Sequence, residues 1–123
     1  MITTSALPAA PVRGRLIALW ILSGFAALLF IGVGGAKLAG AAVMVELFAK
    51  VGLGQWSRYF TGLLEVGAGI GLLLSRFAFY AAVLLAIVMA GAFIAHVTVL
   101  DSSPAAPLVL FILTGIIAYL RKS

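Results

Sequence analysis

Gly62-Leu63-Leu64-Glu65-Val66-Gly67 sets one carboxylate inside an apolar run that extends from Tyr59 to Ser75 without another charged side chain. The rest of the chain is equally apolar: 123 residues, 65% hydrophobic and 9% charged. Soluble globular domains carry about a quarter charged residues, so this composition excludes that class and makes the run a membrane-embedded helix. A charged acid at mid-bilayer costs roughly 2.5–3.5 kcal/mol on insertion scales. A partner charge, a bound proton or a water-filled cavity must offset that cost, which makes Glu65 the first candidate functional residue.

At about 20 residues per crossing the chain has room for four helices and no soluble catalytic domain. The expected fold is an all-α integral membrane protein, a four-transmembrane-helix bundle with a short interfacial amphipathic helix between helices 1 and 2. Residues 1–14, with Pro8 and Pro11 and no apolar periodicity, read as a mobile N-terminal tail, and residues 15–123 as a single membrane domain. The spans are expected at about 16–38, 57–74, 77–99 and 104–120. The first apolar run is longer than a signal-peptide core of about 7–15 residues, which favours a retained span over a cleaved leader. Between spans one and two, Met44, Leu47, Phe48 and Val51 recur at helical spacing, with Glu46 and Lys50 on the other side. Ser75 and Arg76 leave room for a tight turn alone, so spans two and three are antiparallel neighbours. Ser102 and Ser103 suit the cap of the last helix, whereas Pro107 argues for a start a few residues later.

The glycines suggest where helices touch. Gly34 and Gly35 close span one, and Gly62, Gly67 and Gly71 lie in span two, the last two at the spacing that lets backbones approach. A phosphate-binding loop is not credible, because that motif needs a strand-to-helix turn in water. Eight Lys/Arg against three Asp/Glu could suggest nucleic acid, but the cations are scattered at span ends and form no patch. With no cysteine and one histidine, iron–sulfur ligation and covalent haem attachment within the chain are excluded, and no metal site is expected.

Four spans place both termini on one side, with Arg13, Arg15, Arg76, Arg121 and Lys122, against Lys37, Lys50 and Arg58 on the other. That bias favours cytoplasmic termini in a bacterial inner membrane. It also brings Lys37, Glu65, His96 and Arg58 toward the same outer half, where they are candidates for a ligand-binding or proton-exchange pocket. The alternatives are a boundary anchor for Lys37 and an interfacial hydrogen bond for His96.

Four segments, Gly34-Gly35-Ala36-Lys37-Leu38, Met44-Val45-Glu46-Leu47-Phe48-Ala49-Lys50-Val51-Gly52-Leu53, Gly62-Leu63-Leu64-Glu65-Val66-Gly67 and Met89-Ala90-Gly91-Ala92-Phe93-Ile94-Ala95-His96, give the chain its resemblance to a family. It resembles the short DoxX-like membrane proteins, related to DoxX and DoxD. The resemblance implies a four-helix membrane bundle with Lys37, Glu65 and His96 on characteristic polar positions. In DoxX and DoxD relatives it implies association with a thiosulfate:quinone oxidoreductase; other relatives act in membrane redox complexes or, in animals, as a receptor-assembly chaperone. The absence of cysteine and of a flavin or metal motif argues against oxidoreductase chemistry by this chain alone.

Three functions therefore compete. In an accessory subunit facing a quinone or another small apolar ligand, Glu65 and His96 would exchange protons while Lys37 stabilises the developing anion. In a non-catalytic assembly or scaffold subunit, Glu65 would pair with Lys37 or His96 to fix helix register, and a redox partner protein or a second copy would dock on the glycine faces. In a small proton-coupled transporter, the acid would be shared between substrate and proton. Beyond quinone as the candidate ligand, no cofactor is evident.

Overall fold

The computed structural model describes residues 10–98 and 103–122, and in these every regular element is a helix. They are α1 (Ala10–Ala39), α2 (Ala42–Val51), α3 (Trp56–Gly71), α4 (Ala78–Thr98) and α5 (Ala105–Arg121). Two stretches, Arg13–Ala39 and Ala78–Thr98, are long and apolar enough to cross a membrane, and α5 is a shorter apolar helix of 17 residues.

The ends of these elements follow from local chemistry. Residues 1–9 lie outside the described residues, but residues 10–14, expected in the tail, begin α1 instead. Pro11 is tolerated there because amides of the first turn have no intrahelical acceptor to lose. α1 stops at Gly40, whose φ of +77° suits a residue without Cβ. Gly40 N–H reaches Lys37 O at 3.3 Å and Ala41 N–H reaches Ala36 O at 3.1 Å, the paired bonds of a Schellman ending. α3 ends at Gly71, and the turn to α4 keeps helical bonds for a few more residues, Leu73 N–H to Ile70 O and Leu74 N–H to Gly71 O. α5 begins earlier than Pro107 suggests, since that residue is third in the helix and still within the first turn. Ser103 accepts a 3.2 Å bond from Ala105 N–H; the cap expected of Ser102 lies outside the described residues.

α1 lies along α3 and α4 along α5, with α3 against α4 and α1 against α5 completing the bundle. The core is filled by Ala26, Ala27 and Phe30 of α1, Ala68 of α3, Leu72 just beyond it, Ala82, Leu85 and Met89 of α4, and Ile117 of α5. Several polar residues, by contrast, go inside. Ser23, Lys37, Ser57, Arg58, Glu65 and Thr114 are buried, while Leu28 is 75% exposed and Ile21 65%. A water-soluble protein does not show large apolar side chains over every helix in this way, and hydrocarbon is the solvent that accepts them.

Candidate functional site

The polar site forms where α1 and α3 run antiparallel at very close range. A Cβ added to Gly34 would lie 2.9 Å from Gly62 O, and one added to Gly62 would lie 3.0 Å from Gly34 O. Two turns further along α3, a Cβ on Gly69 would lie 2.9 Å from Ile31 Cγ1. The backbones therefore touch, and this closeness lets a lysine on one helix reach a carboxylate on the other.

Helix geometry aims the two side chains at each other. Each Cα–Cβ bond tilts toward its own helix N-terminus, so in an antiparallel pair Lys37 leans down α1 as Glu65 leans up α3. Lys37 Nζ donates to Glu65 Oε1, forming a buried ion pair with Glu65 fully enclosed. The cost of an enclosed carboxylate is thus offset by a partner charge, one of the three routes open to it. The second oxygen, Glu65 Oε2, is buried and has no hydrogen-bond partner among the described residues.

Arg58 extends the site toward the end of α1. It is buried, its Nη1 donates to Lys37 O, and its Nε donates to Gln55 Oε1 at 2.7 Å. The guanidinium also stands 4.2 Å from the centre of the Tyr59 ring. Carbonyls in the last turn of a helix lack intrahelical donors and sit at the negative end of its dipole, so a cation there is held by both effects. Gln55 Nε2 in turn donates to Val45 O at 3.1 Å, which ties α2 to the same cluster. One connected network therefore joins α1, α2 and α3.

Of the residues singled out from sequence, Lys37, Glu65 and Arg58 come together. His96 stands on α4, partly buried near its C-terminal end. Gly34, Gly62 and Gly71 sit at close contacts, the last with a Cβ position 3.0 Å from Ala81 Cβ, whereas Gly35 and Gly67 face open space. Sequence reasoning missed the bridging role of Gln55 and the seam position of Gly69. Gln55 carries a usable signal, standing three residues before Arg58 at the mouth of a helix.

Two open apolar clefts mark the bundle surface, and neither is lined by Lys37, Glu65 or Arg58. One, of about 350 Å³, runs between α3 and α4 past Gly67, Gly71, Phe77 and Tyr80. The other, of about 330 Å³, lies between α4 and α5 at Ala90, Phe93, Ile94, Leu108 and Phe111. Among the described residues no group of three or more His, Cys, Asp or Glu is placed to hold a metal ion.

An all-helical chain with an apolar exterior and a buried ion pair is a helical membrane protein. The family model described as the DoxX-like family matches residues 21–118, and the chain belongs to that family. Neither the curated proteins nor the solved structures give a match.

Proposed function

We propose that this protein is a four-span accessory subunit of a membrane redox complex, in which the Lys37–Glu65–Arg58 network holds the subunit's architecture and performs no turnover. The observation that carries this reading is the enclosure of Glu65, whose Oε1 is taken by Lys37 and which lines neither open cleft. The redox complex enters through the family resemblance, and the electrons would come from the partner. α1, α3 with its helical extension, α4 and α5 supply the four crossings, and α2 lies in the outer interface with Glu46 and Lys50 exposed. The charge bias supports termini on the cytoplasmic side of a bacterial inner membrane.

The chain has no cysteine, so single introduced cysteines report topology cleanly. Ser75→Cys and Lys50→Cys should react with impermeant maleimide from opposite faces of the membrane; labelling from the same face refutes the four-span arrangement. For the subunit role, Glu65→Gln should lower the amount of folded protein and the recovery of a co-purifying partner. A variant that keeps both refutes an architectural role.

A second reading, a quinone-facing proton-exchange site, is favoured by Glu65 Oε2, which is buried and has no hydrogen-bond partner among the described residues. Thermal unfolding in nanodiscs with a titrated quinone analogue separates the two, since a ligand that binds the native state raises its stability. Saturable stabilisation of the wild type that disappears in Glu65→Gln and His96→Ala supports the quinone site. No stabilisation at any concentration supports the architectural role.

A further inference from the structure

The α3–α4 cleft lies outside the Lys37–Glu65–Arg58 network, and its shape comes from missing side chains. Gly67 is exposed on its wall with nothing within 4 Å of where a Cβ would stand, and Gly71 lies one turn further along. Ile70, Leu74, Phe77 and Leu84 make the remainder apolar. Such a slot is a fitting bed for an acyl chain.

The end of the slot is cationic. The cleft runs into the α3–α4 turn, where Ser75 and Arg76 are exposed and the Arg76 guanidinium stands 5.6 Å from the centre of the Phe77 ring, itself part of the wall. Arg15 and Arg121 occupy the same end of the bundle, because Arg15 Nη2 donates to Leu120 O at 3.2 Å and Arg121 stands 4.6 Å from the centre of the Trp20 ring. Among the described residues neither side-chain carboxylate lies at this end: Glu46 belongs to α2, and Glu65 is paired with Lys37.

We infer that the α3–α4 cleft binds one anionic phospholipid, its acyl chain along Gly67 and Gly71 and its phosphate at Arg76. The occupant follows from complementarity: an apolar slot that ends beside an exposed cation matches a chain joined to a negative headgroup. A zwitterionic lipid fits the slot equally well but gains less at Arg76. One surface cation shifts lipid preference by about fivefold. The turn that carries Arg76 lies on the cytoplasmic side in the proposed topology, and the cysteine-labelling experiment tests that placement separately.

The test is native mass spectrometry of the full chain released from micelles with equimolar phosphatidylglycerol and phosphatidylcholine. Wild type should retain one phosphatidylglycerol with about fivefold preference. Arg76→Gln should abolish the preference and keep chain retention, Gly67→Phe should abolish retention while its helical circular dichroism stays unchanged, and Arg13→Gln should behave as wild type. Inorganic phosphate should not compete, because it lacks the chain. Equal retention of the two lipids by wild type, an Arg76→Gln variant that keeps its preference, or displacement by inorganic phosphate overturns the inference. So does a Gly67→Phe variant that dissociates a dimer without changing lipid retention, since the cleft would then belong to a second copy of the chain.

Discussion

The two long helix pairs of this protein hold together by different means. Between α1 and α3 the contact is made by Gly34, Gly62 and Gly69, with backbones touching and an ion pair laid across them. On the α4–α5 side no ion pair among the described residues is laid across, and the buried residues include Ala82, Leu85, Met89, Thr114 and Ile117, with Val88, Leu110 and Leu113 packed against them. In a bilayer the lipid is as apolar as leucine, so burying a leucine between helices gains packing and little solvent release. The apolar pair can slide at modest cost. The polar pair cannot, because a shift of one residue parts Lys37 from Glu65 and drives a side chain into a backbone.

Breaking the ion pair on one side should have the largest effect. Lys37→Met or Glu65→Leu alone leaves a buried charge without its partner and should destabilise by about 3–5 kcal/mol, whereas the double variant should be near wild type. Reversible unfolding in mixed micelles, analysed as a double-mutant cycle, measures the coupling. Strictly additive losses would show that the two residues do not depend on each other.

Closing the glycine seam comes next. Gly34→Ala should cost about 2–3 kcal/mol, because its Cβ would press on Gly62 O and the Val66 side chain with no flexible neighbour to yield. Gly35→Ala, one residue away and facing open space, should cost nothing or stabilise slightly. Equal effects would mean that the seam does not set the interhelix distance.

On the apolar side, Leu85→Ala should cost about 2 kcal/mol, close to the cavity term, since lipid chains also solvate the separated helices. Its loss should depend little on the residues at 37 and 65. A strong dependence would erase the distinction between the two interfaces. The smallest effect is expected for Arg58→Lys, about 1 kcal/mol, because the charge stays near the end of α1 while the fork that joins Lys37 O and Gln55 is lost. Faster amide exchange confined to α2 and the last turn of α1 would locate that loss.

Much of this comparison was legible before any coordinates. Glu65 is conspicuous in sequence because nothing near it along the chain can compensate it, and the same reasoning pointed to Lys37 and Arg58 as residues of the same half. His96 drew attention by the same logic of rarity, yet rarity does not place a side chain. It stands on α4, near the same end of the bundle. The glycines show the limit more sharply. Gly34 and Gly35 are adjacent and alike in sequence, but one lies against α3 and the other in open space, since neighbouring residues on a helix point about 100° apart.

Apolar length, the scarcity of charge and the spacing of turn residues are properties of the chain itself, and they alone determined that it is helical, membrane-embedded and of the DoxX-like family. Which helix lies against which, and at what rotation, depends on the packing of surfaces that are nearly identical in composition. The tertiary structure therefore decided that Glu65 meets Lys37, that Arg58 closes the end of α1, and that Gly67 is left open on the wall of the α3–α4 cleft. A helix wheel orders residues around one axis; their partners exist only when a second axis has been placed.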